Sequence, residues 1–231
     1  MVSIPLYLPN LLCYVRIFLS LSSLHTALLV SSHEKPAGPL LATILIWLSA
    51  SLLDHIDGKV ARSCNQCSEF GIILDIVADN LLRGCSWIAV VIAVATDGSR
   101  GFVATLTIMI SICAICFEWL TMLSTQMLTL MQQDVEHWKE LEERHHEESP
   151  RGQFVKRIFR NNFMNPIGVL AIFGSFASGM LTFVHIHSDI VVLPWVPWDI
   201  LRYTAYLGRT LALCVEIHFC LLYADALIKK E

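Results

Sequence analysis

Six stretches of this sequence, at about 10–31, 38–56, 69–96, 102–130, 162–186 and 200–228, are apolar over the length a helix needs to cross a hydrocarbon layer, which is about 20 residues. They predict an all-α fold: a polytopic membrane protein with six transmembrane helices. Composition agrees. The chain is 55% hydrophobic and 16% charged, where water-soluble domains carry about a quarter charged residues. The runs leave no room for a separate soluble domain, so residues 1–231 read as a single membrane-embedded domain. The net charge of −4 is small, no nucleic-acid module is recognisable, and no nucleic-acid partner is expected.

The longest polar segment is 132–161. Its first half is acidic, from Asp134 to Glu148, and its second half carries Arg151, Lys156, Arg157 and Arg160. It reads as an exposed helix, a break at Ser149–Pro150, and a basic stretch entering the fifth span. The acidic half reads as a solvated linker, and the basic half can also meet anionic headgroups. The cations set the orientation. With a cytosolic N-terminus, the cytosolic connectors hold Lys59, Arg62, Lys139, Arg144, Arg151, Lys156, Arg157, Arg160, Lys229 and Lys230, and the other side holds Lys35 and Arg100. Both termini, the stretch at 54–79 and the 132–161 segment are therefore expected to face the cytosol.

Against this apolar background one stretch stands out. Residues 54–79 read DHIDGKVARSCNQCSEFGIILDIVAD, with four aspartates between two spans. Asp54 and Asp57 are placed at the end of the second span, three apart and on one helix face. Asp75 and Asp79 stand one turn apart in the first turns of the third, and Gly71 lies one turn before Asp75. Two antiparallel helices joined by a short connector aim all four carboxylates at one place. Unpaired anions there carry a large desolvation penalty, which hard divalent cations relieve, since Mg²⁺ and Mn²⁺ favour carboxylate oxygen. Two such ions about 4 Å apart suit displacement at phosphorus. As isolated charges, Asp54 or Asp57 would read as a cap or an interfacial residue. Four on converging faces read as a site.

The stretch resembles the signature of the CDP-alcohol phosphatidyltransferase family, D-x-x-D-G-x-x-A-R-x8-G-x3-D-x3-D. Asp54, Asp57, Gly58, Ala61, Arg62, Gly71, Asp75 and Asp79 fill its fixed positions. The opening PNLLCYVRI is similar to the family's N-terminal P-N-x5-R segment, through Pro9, Asn10 and Arg16. The resemblance implies that Asp54, Asp57, Asp75 and Asp79 hold Mg²⁺ or Mn²⁺, two ions in all, and that Asp79 is also the base. It implies that Pro9, Asn10, Arg16, Gly58, Arg62, Ser68 and Gly71 bind CDP-diacylglycerol, and that a polar alcohol attacks the phosphorus bearing diacylglycerol as CMP leaves. Related proteins are commonly homodimers, and the same is expected here.

The acceptor is less legible. Asn65, Gln66, Ser68 and Phe70 are similar to phosphatidylinositol synthases, which implies myo-inositol. Enzymes that use glycerol 3-phosphate share the N-Q pair, but they show proline and lysine where this chain has Ile76 and Asn80. Phosphatidylinositol synthases usually have arginine at the position of Asn80. Arg83, one turn beyond Asp79, either pairs with Asp79 or meets the acceptor. Glu118 in the fourth span either lines the acceptor cavity or snorkels to the interface.

Three other readings are weaker. Cys64–Cys67 and Cys113–Cys116 have zinc-like spacing, but no nearby Cys or His pair completes a tetrahedral site around Cys64 and Cys67, and Cys113 and Cys116 lie inside an apolar run, where cysteine behaves as a small hydrophobe. A non-catalytic membrane scaffold is expected to lose motif aspartates, and a cation transporter to spread its carboxylates through the membrane depth. The C-terminal Lys229–Lys230–Glu231 is one residue short of a dilysine signal and points to the endoplasmic reticulum.

Overall fold

A computed structural model of the chain describes residues 3–31, 37–98, 101–131, 150–188 and 196–228. Among the described residues a short 3₁₀ turn, Ile4–Leu6, leads into seven helices: α1 Leu8–Val30, α2 Ala37–Ser63, α3 Glu69–Thr96, α4 Phe102–Met131, α5 Pro150–Phe159, α6 Pro166–Ile186 and α7 Trp198–Ile228. Among the described residues there is no β-strand. All but α5 are long and apolar enough to cross a membrane, six candidate spans among the described residues. The protein is a multi-pass all-α membrane protein. Lys35, Arg100, Lys139, Arg144, Lys229 and Lys230, and the acidic half of 132–161, lie outside the described residues.

The side chains are sorted as a lipid solvent demands. Phe18, Leu52, Val103 and Leu130 point outward on α1, α2 and α4 and are 64–75% exposed (69%, 64%, 75% and 73%). The buried face of α1 is small or polar: Asn10, Cys13, Arg16, Ser20, Ser23 and Ala27. Packing between spans in lipid favours this arrangement, because small residues let backbones approach and polar ones bond across helices. Thr43 Oγ1 donates to Thr26 Oγ1 at 2.7 Å between α2 and α1.

The chain divides into two compact units, Met1–Ile115 with Gly179–Val196, and Cys116–Ser178 with Pro197–Glu231. In the first, α1 packs along both α2 and α3, and Trp47 meets Phe183 edge-on at 5.4 Å. In the second, α5 packs on α7. There Arg209 makes a two-pronged pair with Glu216, Nη1 to Oε1 at 2.8 Å and Nη2 to Oε2 at 3.1 Å.

Two helix boundaries differ from expectation. The second span was placed to end near 56, but α2 runs unbroken to Ser63, so Asp54, Asp57 and Gly58 are interior. The two carboxylates are neutralised by an arginine from α1 and need no helix end to solvate them. The stop comes at Asn65, left-handed at φ 54, after which the Gln66 N–H closes back on the Ala61 carbonyl at 2.9 Å, a C-terminal cap geometry that asparagine tolerates. The fifth span was expected from 162. Helix α6 begins at Pro166 instead, because Asn161, Asn162 and Phe163 are all left-handed.

Candidate active site

Helices α1, α2 and α3 bring the four aspartates together, and the residue at their centre is Arg16. Its Nη1 stands 2.6 Å from Asp57 Oδ2 and 2.6 Å from Asp75 Oδ1, and its Nη2 stands 2.7 Å from Asp54 Oδ1. Nη2 also bonds Asp79 Oδ1. One guanidinium thus binds all four carboxylates, two from α2 and two from α3. It is 1% exposed, and its Nε is buried without a hydrogen-bond partner. Charge-assisted bonds of this kind are about twice as strong as neutral ones, which explains how α2 carries two anions in mid-helix.

Beside the cluster is a pocket of about 360 Å³. Its lining includes Pro9, Asn10, Gly58, Arg62, Ser68 and Gly71, together with Asp57 and Asp75. Six of the seven residues expected to bind the nucleotide lipid therefore share one cavity. Arg16, the seventh, is directed to the carboxylates. Asn10 is held by its own Nδ2, which donates to the Ile4 carbonyl at 2.7 Å. Ser68 caps α3, its Oγ accepting the Gly71 N–H at 3.0 Å. Glycine at 71 is a steric requirement: a Cβ there would stand 2.9 Å from Asn10 Oδ1 and 3.1 Å from Ser68 Oγ.

The donor set fits divalent ions. Asp54, Asp75 and Asp79 each offer an oxygen within 4.8 Å of the others, and so do Asp57, Asp75 and the Cys13 sulfur. Asp75 belongs to both groups, so two adjacent sites would share it. Carboxylate oxygens are the ligands Mg²⁺ and Mn²⁺ prefer. Asp54 and Asp79 lie outside the pocket lining. Arg83 stands beside Asp79, with Nη1 3.8 Å from Asp79 Oδ2 and Nη2 bonded to Asn80 Oδ1. Of its two expected roles, the ion pair with Asp79 is formed. Glu118 belongs to the second unit, where Oε1 lies 3.7 Å from Arg209 Nη2.

Three residues have places here that the sequence reading did not assign to them. Gln66 Oε1 accepts the Leu8 N–H at 2.9 Å and ties the start of α1 to the α2–α3 connector. Cys13 lines the pocket, its Sγ 3.7 Å from Asp57 Oδ2. Cys67 also lines it. The helical spacing of Asn10, Cys13 and Arg16 on an otherwise apolar α1 was the available signal for the second of these.

The family model for CDP-alcohol phosphatidyltransferase matches residues 6–145. The chain belongs to the CDP-alcohol phosphatidyltransferase family. The matched region contains α1, α2 and α3 and hence every residue of the aspartate cluster. Among curated relatives, the CDP-diacylglycerol–inositol 3-phosphatidyltransferase of Schizosaccharomyces pombe is 40% identical over 79 residues, 34% of this chain and 30% of its own length. CDP-diacylglycerol–inositol 3-phosphatidyltransferase 1 of Arabidopsis thaliana is 33% identical over 123 residues, 53% of this chain and 47% of its own. The CDP-diacylglycerol–glycerol-3-phosphate 3-phosphatidyltransferase of Rickettsia bellii is 37% identical over 78 residues, 34% of this chain and 40% of its own. The matches to these family members thus span less than half of each relative's length. No solved structure matches the chain.

Proposed function

We propose that this protein transfers a phosphatidyl group from CDP-diacylglycerol to myo-inositol, forming phosphatidylinositol and releasing CMP. The observation that carries the reading is the convergence of Asp54, Asp57, Asp75 and Asp79 beside a pocket lined by Asn10, Gly58 and Arg62. The inositol acceptor is supported by the names of the yeast and plant relatives. Glycerol 3-phosphate is the second reading, favoured by the Rickettsia relative.

In this reading the cytidine diphosphate enters the pocket over Gly58 with Arg62 on a phosphate. Asp54, Asp57, Asp75 and Asp79 would hold the divalent ions, which when bound would supply Lewis-acid neutralisation of the pyrophosphate and the leaving CMP. The acceptor approaches on the Asp79 flank, where the carboxylate takes the hydroxyl proton. The alcohol oxygen bonds to the phosphorus bearing diacylglycerol, and the bond from that phosphorus to the CMP oxygen breaks. Arg83 stands 3.8 Å from Asp79 Oδ2, beside the oxygen that Arg16 leaves free for the hydroxyl proton. The whole chain acts as one domain and as a homodimer, in the endoplasmic reticulum membrane with the site facing the cytosol.

The test is an acceptor panel on purified protein: labelled CDP-diacylglycerol, Mg²⁺ or Mn²⁺, and inositol, glycerol 3-phosphate, serine and ethanolamine in turn. Inositol-dependent CMP release that chelation abolishes is the expected result. Release with glycerol 3-phosphate alone selects the second reading, and no release with any acceptor sinks both.

A further inference from the structure

Helix α5 is short, basic and firmly held. Val155 and Ile158 are buried, at 2% and 0% exposure, and α5 packs on α7 with Phe159 6.0 Å from Phe219. Its C-terminus is locked to the start of α6 by a single side chain. Asn165 Nδ2 donates to the carbonyls of Ile158 and Arg160, both at 2.8 Å, while its Oδ1 accepts the N–H groups of Ile167 at 3.1 Å and Gly168 at 3.0 Å. Between them Asn161, Asn162 and Phe163 are left-handed, with φ of 57, 52 and 64. Three successive non-glycine residues in that region are costly and persist only where the surroundings over-determine them. The result is a rigid elbow at the point where the chain enters a membrane span.

That elbow presents two kinds of surface at once. Lys156, Arg157 and Arg160 are exposed, and at 100° per residue they share about 100° of the helix circumference, opposite Val155 and Ile158. None of the three is paired with a described residue. From Pro150 to Ser188 the sequence contains no Asp or Glu. Next to the cations, Phe154 is 38% and Met164 79% exposed. A cationic face flanked by exposed apolar side chains is the arrangement of a helix lying at the headgroup–acyl boundary.

We propose that α5 and the turn after it form a docking surface for anionic phospholipid headgroups, with Lys156, Arg157 and Arg160 on the phosphates and Phe154 and Met164 at the acyl boundary. The inference rests on the spans and on α5, and does not depend on the reaction assigned to the aspartate cluster. The chain's own acidic residues between Asp134 and Glu148 are the rival occupant, and the experiment separates the two.

The full-length protein is placed in nanodiscs containing photoactivatable phosphatidylglycerol or photoactivatable phosphatidylcholine, and crosslinks to residues 150–168 are quantified by mass spectrometry. The expected phosphatidylglycerol preference is at least about fivefold, the scale of one basic side chain near an anionic surface, and it declines in 0.5 M salt. Changing Lys156, Arg157 and Arg160 together to Gln brings the ratio towards one, while crosslinking on the α1–α3 spans stays constant and reports an intact fold. Lys156→Arg keeps the preference. Equal labelling by the two lipids in the wild type overturns the proposal, as does a preference that survives the triple change. So does a preference seen only after the acidic residues of 134–148 are neutralised, which would put that segment on the face instead.

Discussion

Arg16 Nη1 lies 2.6 Å from Asp57 Oδ2 and joins α1 to α2 inside the membrane-spanning part of the protein. The same guanidinium bonds the two aspartates of α3. It therefore takes the carboxylate oxygens that divalent cations would take, and the two kinds of positive charge compete. Replacing Arg16 with Met leaves four carboxylates without their shared cation, a loss on the order of 3–5 kcal/mol for a buried pair. The variant is expected to be less thermostable than the wild type without metal and to gain more stability from Mn²⁺. Free Mn²⁺ measured by electron paramagnetic resonance gives a dissociation constant at least about tenfold lower than the wild type's, since 1.4 kcal/mol is a factor of ten. Equal or weaker Mn²⁺ binding in Arg16→Met, with Arg16→Lys as the folded control, sinks the competition.

Asp79 differs from its three companions in its partners. Like Asp54 it lies outside the pocket lining, but it has a second arginine, Arg83, 3.8 Å from its Oδ2. Asp79→Asn keeps the shape and one ligand oxygen but cannot accept the proton. The expected variant binds CDP-diacylglycerol with metal at near wild-type affinity yet transfers at least about a hundredfold more slowly, the usual scale of general-base catalysis. Near-normal turnover at saturating metal would make Asp79 a ligand only and move the base elsewhere.

Gly71 is held to glycine by its neighbours, because the Asn10 side chain is pinned to Ile4 and cannot retreat. Gly71→Ala is expected to destabilise by about 1–3 kcal/mol, typical of an added methyl in a packed region, and to raise KM for CDP-diacylglycerol. Asn10→Ala removes the obstacle. In the double variant the stability cost of Gly71→Ala should fall to less than half, a coupling readable from a double-mutant cycle. Additive effects would show that the contact with Asn10 is not what excludes alanine.

How much of this was legible beforehand follows from the period of each signal. The six spans are long apolar runs, and the aspartates sit at helical spacings on two of them, so both could be read without partners. The end of α2 could not, because it depends on Arg16, 41 residues away from Asp57, neutralising charges that would otherwise ask for water. The Gln66 tie to Leu8 spans 58 residues and leaves no local pattern. The elbow before α6 was hidden because the basic stretch runs on into the apolar run expected from 162, while the bonds that fix the turn come from the side chain of Asn165.

The connector between α2 and α3 supplies the last prediction. Cys64 and Cys67 are both exposed free thiols there, and only Cys67 also lines the pocket. In sealed vesicles of known orientation, a maleimide that cannot cross the membrane should modify both from the cytosolic face and neither from the other. CMP with Mg²⁺ should then slow Cys67 several-fold and leave Cys64 unchanged, because a nucleotide in the pocket covers one thiol and not its neighbour. Peptide mass spectrometry resolves the two sites. Modification from the opposite face would reverse the orientation drawn from the lysines and arginines, and equal protection of both thiols would mean that the nucleotide sits elsewhere and moves the connector as a whole.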